Sequence, residues 1–251
     1  MTAPQGLADQ AESDRKRPSA QALAERDSPE TRSKGLQGSL DRIMAPKERN
    51  NRKCGKTMDI VLASQSPRRK ELLTRMGLSY RVRVVDIDEH MDRSLPPDKL
   101  VETISREKAM AARGVEGDEA LIIAADTVVA LDGMVLGKPR DEADACRMLS
   151  ALSGRTHEVY TGFTVCRGER VITRSEHSEV SFRPLDREEI GAYVATGEPM
   201  DKAGSYGIQS LGALLVEGIR GDYFNVMGLP VCALGLALKE FGLDCLKEKR
   251  H

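Results

Sequence analysis

The segment from residue 58 to residue 73 constrains the fold of this chain more than any other. An apolar run at 60–63 leads directly into a hydroxyl-rich, basic stretch. The side chains of Ser64 and Ser66 can accept hydrogen bonds from the free amides of a helix start, and Pro67 suits a first helical position. The segment therefore predicts a buried strand that turns at once into a helix.

This turn also predicts a site for an anion. Arg68 and Arg69 follow the proline, so two guanidinium groups would lie beside the free N–H groups and the positive end of the helix dipole. A phosphate chain would fit there. The alternative for the segment taken alone is an ordinary capped helix whose arginines point into water.

The hydrophobic pattern downstream predicts a mixed α/β domain. We expect strands at 60–63, 80–85 and 121–125, a hairpin of 128–131 and 134–136, an antiparallel pair between 159 and 182, and helices at 67–76, 97–113, 141–152, 186–196 and 223–241. Asp132 and Gly133 suit the two-residue turn of the hairpin, and Asp141 is a candidate helix cap.

Residues 1–57 differ in composition from the rest of the chain. They contain no Phe, Tyr or Trp and carry 12 basic and 8 acidic residues, a net charge of +4. Such a segment buries too little apolar surface to offset its ordering entropy, so we expect a disordered extension before a domain at 58–251. A transit peptide is a second interpretation, which the acidic residues oppose, and a biological start at Met58 is a third.

Asp126 is the leading catalytic candidate, because an acid at the end of a buried strand lies at the rim of the sheet. Its other role would be to cap the following turn. Lys138 lies between Gly137 and Pro139, which fix a local turn, whereas Lys108 would be a solvated helix charge if it had no partner.

Several motifs together resemble the Maf family of nucleotide pyrophosphatases. Over about 58–243 they occur in family order: Leu-Ala-Ser-x-Ser-Pro-Arg-Arg-x-Glu-Leu-Leu at 62–73, Glu-Lys-Ala at 107–109, Ala-Asp-Thr-Val-Val at 125–129, Gly-Lys-Pro at 137–139, Ser-Gly at 153–154, His-x-Val-x-Thr-Gly at 157–162, Gly-Glu-Pro-x-Asp-Lys-Ala-Gly-x-Tyr-x-Ile-Gln at 197–209 and Gly-Asp-x-x-Asn-Val-x-Gly-Leu-Pro at 221–230. The resemblance implies a two-lobed, mixed-sheet fold with a central cleft, like that of the inosine triphosphate pyrophosphatases, and allows a homodimer.

The resemblance also implies roles for single residues. Asp126 would accept the proton of the attacking water, and Ser64, Arg69, Lys108 and Lys138 would hold the triphosphate. A family acid implicated in cation binding corresponds to Glu89, and the metal ligands would be Glu89 and Asp126. The neighbouring Asp86 and Asp88 are alternatives to Glu89. Oxygen ligands of this kind favour Mg²⁺ or Mn²⁺.

A finer part of the resemblance concerns the base. The family branch that acts on dTTP and UTP carries residues like Arg68, Thr127 and Gln209 at three places, whereas the branch that acts on 7-methyl-GTP carries Trp, Gln and Glu there. An amide such as Gln209 can meet both a carbonyl oxygen and a ring N–H of a pyrimidine. We expect hydrolysis of dTTP and UTP, or of modified pyrimidine nucleotides, to the monophosphate and pyrophosphate. The alternatives are a 7-methyl-GTP pyrophosphatase and an inactive nucleotide-binding module.

Composition argues against other classes of protein. The formal net charge of −1 and the few aromatic residues disfavour a nucleic-acid partner, and no apolar run approaches the ~20 residues of a membrane span. The five cysteines lack C-x-x-C spacing, which fits reduced thiols in the cytoplasm. The four histidines lie far apart, so we expect each to be structural or exposed and predict no zinc site.

Overall fold

The computed structural model describes residues 58–87, 92 and 94–247. Contacts between residues divide the chain into two units, Met1–Gly55 and Lys56–His251. The fold described below is that of the second unit. The predicted extension at 1–57 lies outside the described residues.

One seven-stranded mixed sheet organises this unit. Its strands are β1 (Ile60–Leu62), β2 (Arg81–Val82), β3 (Leu121–Leu131), β4 (Met134–Leu136), β5 (Thr156–Arg167), β6 (Arg170–Phe182) and β7 (Val216–Gly221). The order is β2-β1-β3-β5-β6-β7, and β4 pairs with β3. The pairs of β1 with β2 and β3 are parallel and the others are antiparallel, so the predicted mixed-sheet α/β class is confirmed.

Six α-helices in the described part of the chain surround the sheet. They are α1 (Pro67–Arg75), α2 (Pro97–Glu116), α3 (Glu142–Leu152), α4 (Arg187–Ala195), α5 (Tyr223–Met227) and α6 (Val231–Glu240), and three 3₁₀ turns lie at Glu198–Asp201, Ala203–Ser205 and Ser210–Leu215. The predicted caps are confirmed, because Ser66 accepts from the amide of Arg69 and Asp141 accepts from the amide of Asp144. The hairpin turn is also as predicted, since Asp132 and Gly133 have φ values of 52° and 77°.

Several predicted boundaries differ from the structure. The strand expected at 80–85 is shortened to Arg81–Val82, the helix expected at 97–113 continues to Glu116, and two further differences affect the site. The strand expected at 121–125 continues through Asp126 to Leu131, because β5 pairs with it along most of its length and β4 adds a partner at its far end. The helix expected at 223–241 breaks into α5 and α6. Gly228 ends α5 with φ of 108°, and Pro230 cannot continue the helix of the preceding residues.

One face of the sheet carries two separate hydrophobic cores. The first packs α1 and α6 against Leu121, Ile123 and Phe163, and the second packs α3 and α4 against Val129 and Val159. The other face is covered mainly by α2. Two lobes therefore share one sheet, and the middle of β3 lies where they meet.

No helix in the described part of the chain is long and apolar enough to cross a membrane.

Candidate active site

The site begins with an open edge in the middle of β3. On one edge, β1 pairs with this strand only as far as Ile123, and β4 begins to pair at Val129. Residues 124–128 therefore lack a neighbouring strand on that edge, although β5 pairs with them on the other. A cleft of about 1060 Å³ opens here. Asp126 thus lies at a sheet rim because its neighbouring strands end, and not because its own strand does.

Most of the predicted site residues line this one cleft. Seven of them do: Ser64, Arg68, Arg69, Lys108, Asp126, Thr127 and Lys138. Gln209 is half-buried and does not line the cleft, although its neighbours Gly207 and Ile208 do. Glu89 lies outside the described residues.

Asp126 and Lys108 form an ion pair inside the cleft. Lys108 Nζ donates to Asp126 Oδ1 at 2.8 Å, and the two side chains are 14% and 15% exposed. Partial burial strengthens this attraction relative to one in open water. Lys108 is therefore not the solvated helix charge that its sequence position alone allowed. Asp126 Oδ2 has no hydrogen-bond partner within the described ranges, so it can meet a water or a cation.

A glycine lets the helix that carries Lys108 approach the sheet. Gly162 lies opposite Asp126 on β5. A Cβ atom there would lie 2.3 Å from the carbonyl oxygen of Val101 in α2. Only a residue without a side chain fits this contact, so Gly162 sets the distance between α2 and β5.

Arg69 is held by three elements at once. Its Nε donates to the carbonyl of Gly228 at 2.8 Å, Nη1 donates to Ser64 Oγ at 3.2 Å, and Nη2 donates to Thr127 Oγ1 at 3.0 Å. These bonds join the end of α5, the turn after β1 and the open part of β3. The guanidinium group is thus fixed before any substrate arrives, which is the arrangement that binds an anion without a further ordering cost.

A buried polar network lies below Thr127. Thr127 Oγ1 is 2.9 Å from Thr161 Oγ1, and Thr161 donates to the carbonyl of Asn225 at 2.9 Å. The side-chain nitrogen Nδ2 of Asn225 donates to the carbonyl of Val159 and to Ser178 Oγ, both at 3.0 Å. Thr161, Ser178 and Asn225 are fully buried. On β3 and β5, Thr127 and Thr161 lie between the residues of the first core and those of the second.

The remaining predicted cations lie at the surface of the cleft. Arg68 Nη1 is 3.8 Å from Asp201 Oδ2 in the first 3₁₀ turn. Lys138 is exposed and has no hydrogen bond or ion pair within the described residues. Both are therefore able to meet a ligand from solvent.

The cleft contains charged residues that the sequence analysis did not identify. Arg147 donates twice to Oδ1 of Asp144, at 2.6 and 2.9 Å, and Arg140 approaches Oδ2 at 3.4 Å. The hydrogen bonds from Arg147, followed by the one from the Arg140 amide, hold the pKa of Asp144 below its usual range. The i, i+3 spacing of Asp144 and Arg147 and the i, i+4 spacing of Arg140 and Asp144 indicate in the sequence that these residues can pair. The spacings do not indicate that the residues line the cleft.

His157 has the structural position that we expected of the histidines. It is buried, and its Nε2 is 2.8 Å from the hydroxyl of Tyr206, which lines the cleft. Burial lowers the pKa of His157 to about 4 and raises the pKa of Tyr206. Both groups are thus neutral near pH 7.

The residues present fit a divalent cation only together with a substrate. The described residues contain no cluster of three His, Cys, Asp or Glu side chains arranged for a metal. Asp144 and Asp201 also line the cleft, but both are paired with basic side chains, whereas Asp126 keeps one carboxylate oxygen without a hydrogen-bond partner among the described residues. Mg²⁺ commonly takes one or two carboxylates and completes its shell with phosphate oxygens and water, so Asp126 with a triphosphate satisfies this requirement.

Comparisons with known proteins agree on one family. A family model described as Maf-like protein matches residues 59–241. The chain is 53% identical to a dTTP/UTP pyrophosphatase of Moorella thermoacetica over 74% of this chain and 96% of that protein. It is 48% identical to proteins with the same description from Bacillus pumilus (73% of this chain, 97% of that protein) and Symbiobacterium thermophilum (73% and 94%).

One solved structure is similar at a much lower level. A nucleoside-triphosphatase / dITP/XTP pyrophosphatase from Mycobacterium abscessus is 16% identical, with a TM-score of 0.38, over 76% of this chain and 99% of that one.

Proposed function

The chain belongs to the Maf family, and we propose that it hydrolyses dTTP and UTP to the monophosphate and pyrophosphate. The observation that carries the proposal is the Asp126–Lys108 pair, 2.8 Å apart in a cleft that Arg68, Arg69 and Lys138 also line. Relatives described as dTTP/UTP pyrophosphatases, up to 53% identical, support the choice of substrate.

The positive groups are arranged for a triphosphate. A nucleoside triphosphate carries several negative charges, and their neutralisation is the main requirement of phosphoryl chemistry. Arg69 offers a fixed guanidinium beside the first turn of α1, while Lys138 reaches the cleft from the turn after β4. Because these cations come from separate elements, they can contact the phosphate chain from different sides.

Asp126 would act on the attacking water. A carboxylate that accepts the proton makes the water a better nucleophile toward the α-phosphorus, and pyrophosphate leaves. Lys108 orients the carboxylate through Oδ1 and offsets its charge. A bound Mg²⁺ or Mn²⁺, held by Asp126 and by Glu89, would supply charge neutralisation at the phosphate oxygens.

Base selection would depend on Arg68, Thr127 and Gln209. Thr127 lines the cleft, and Gln209 follows two residues that do. The amide nitrogen of Gln209 can donate to a carbonyl oxygen of uracil or thymine, which leaves the ring N–H group of the base to a second acceptor. Modified pyrimidine nucleotides whose bases carry the same hydrogen-bonding edge should bind as well.

We expect the reaction to take place in the cytoplasm. Among the described residues, Cys146, Cys166 and Cys232 form no disulfide bond, which accords with the cytoplasm as the expected compartment. The family resemblance allows a homodimer, and no nucleic acid or membrane is expected as a partner.

A substrate panel tests the proposal. The purified chain is given dTTP, UTP, CTP, ATP, GTP and 7-methyl-GTP, with and without Mg²⁺ or Mn²⁺, and pyrophosphate and orthophosphate are measured separately. We expect pyrophosphate release from dTTP and UTP first. Orthophosphate as the product, or a preference for 7-methyl-GTP, would contradict the proposal, and binding without turnover would indicate an inactive module.

A further inference from the structure

The hydrogen atoms in the Thr127 network can be placed by elimination. Three short contacts follow one another: Arg69 to Thr127, Thr127 to Thr161, and Thr161 to the carbonyl of Asn225. Arg69 can only donate, and a carbonyl oxygen can only accept. Thr161 must therefore give its one hydroxyl proton to Asn225, and the proton between the two threonines must come from Thr127.

This order fixes what Thr127 can offer to a ligand. Its hydroxyl proton is used by Thr161, and one lone pair is used by Arg69. One lone pair remains, so Thr127 faces the cleft as an acceptor and cannot donate. Thr127 is partly exposed at the cleft, whereas Thr161 is fully buried behind it.

An acceptor of this kind distinguishes the parts of a nucleotide. The oxygens of an ionised triphosphate only accept, so they gain no hydrogen bond from Thr127. Thymine and uracil, once joined to a sugar through N1, each have a single donor, the N3–H group. Cytosine has a lone pair at N3, which would face the lone pair of Thr127.

We propose that Thr161 is a positioning residue for base selection, because it keeps Thr127 as an acceptor for the N3–H group of uracil or thymine. This inference rests on the proposed function and deepens it. Thr161 acts only through Thr127. Without the Thr161 hydroxyl, the proton of Thr127 is free to turn toward the cleft, where it would meet N3 of cytosine.

Turnover and binding together test the inference. Pyrophosphate release from UTP and CTP gives the ratio of kcat/KM for the two bases, and calorimetry with UMP and CMP reads base preference without hydrolysis. Thr161→Val keeps the shape of the side chain and removes the hydroxyl. We expect it to lower the preference for uracil over cytosine by roughly tenfold, the size of one net hydrogen bond, whereas Thr161→Ser should restore the preference.

The chain supplies a matched control. Thr164 lies on the same strand, is fully buried, and joins Ser105 and Thr173 through hydroxyl contacts of 3.0 Å, away from the cleft residues. Thr164→Val should lower the melting temperature to a similar degree and leave the base preference unchanged. In a Thr127→Val background, Thr161→Val should have no further effect on the preference.

The outcomes separate the inference from the proposed function. If UTP is not hydrolysed but UMP is preferred and Thr161→Val reduces that preference, the function fails and the inference stands. If UTP is hydrolysed and Thr161→Val leaves the preference unchanged, or the wild-type chain prefers neither base, the inference is overturned. Should Thr161→Val not fold, Thr127→Val must abolish the preference, and an unchanged preference there also overturns the inference.

Discussion

At the scale of single residues, the hydrogen bonds of Asp126 fit the proposed role of a general base. Its carboxylate is oriented by Lys108 through one oxygen, and the other oxygen has no partner within the described residues. A base that takes a proton from water needs this combination of a fixed position and a lone pair directed at the reactant. Arg69, in contrast, uses its hydrogen bonds to tie three segments together.

Replacement of Asp126 tests this assignment. Asp126→Asn keeps the size of the side chain and removes its charge and basicity, so kcat should fall ~10²–10⁴-fold while nucleotide binding persists. The control is Asp132→Asn, which removes an exposed carboxylate from the turn that follows the same strand. Near wild-type turnover in folded Asp126→Asn, checked by circular dichroism, would move the role of base elsewhere, first to Glu89.

His157 makes a prediction about pH. Burial lowers its pKa to about 4, against an ordinary value of about 6.5. Between these values the unfolded chain binds a proton that the folded chain does not, so stability is complete above about pH 6.5 and is lost as the pH falls toward 4. The loss amounts to about 3 kcal/mol. Urea unfolding of wild type and His157→Gln at pH 7 and pH 4.5 should show a smaller loss in the variant, and equal losses would contradict the account.

Gly162 of β5 lies directly against α2, and its replacement tests whether this contact positions the helix. In Gly162→Ala the new methyl group would lie within 3 Å of the backbone of Val101 and Glu102, so the helix must shift. Overpacking of this kind costs ~1–3 kcal/mol or more. Because α2 carries Lys108, turnover should fall as well.

Gly114 supplies the control for this experiment. It lies in the same helix, and an added Cβ would have no heavy atom within 4 Å. Gly114→Ala should therefore raise the free energy of unfolding by ~0.5–1 kcal/mol, since alanine favours helix over glycine. Melting temperatures and kcat values of the two variants test this prediction. A fully active, stable Gly162→Ala would show that α2 can lie farther from β5 without loss of function.

The sequence predicted those elements whose signals are local. The turn at Asp132 and Gly133, the cap at Asp141 and the helix start at Pro67 depend on neighbouring residues, and all three are confirmed. The continuation of β3 past Asp126 depends on which strands pair with it. The hydroxyl contact between Thr127 and Thr161 likewise joins residues 34 positions apart, and no local pattern shows it.

At the scale of the whole molecule, the similarity to the family covers about three quarters of the chain. The family model matches 59–241, and the Moorella thermoacetica protein is matched over 96% of its length by 74% of this chain. Asp126, Lys108, Arg69 and the other residues proposed to act on the nucleotide all lie within the matched range 59–241. The two lobes around a cleft were predicted from the family resemblance, since periodicity alone indicated only a mixed α/β class.

Removal of the first 57 residues tests this limit. A protein of residues 58–251 should keep the melting temperature and the kcat of the full chain, because the removed segment has no aromatic residues and no apolar periodicity. Differential scanning calorimetry and pyrophosphate release check both quantities. A melting temperature lower by several degrees would show that the segment stabilises the domain.

The position of water attack is the most direct test of the central claim. UTP is hydrolysed by the full-length chain in water enriched in ¹⁸O, and the two products are separated and analysed by mass spectrometry. If water held by Asp126 attacks the α-phosphorus, the label enters UMP and pyrophosphate stays unlabelled. Label in pyrophosphate, or release of labelled orthophosphate, would contradict the account.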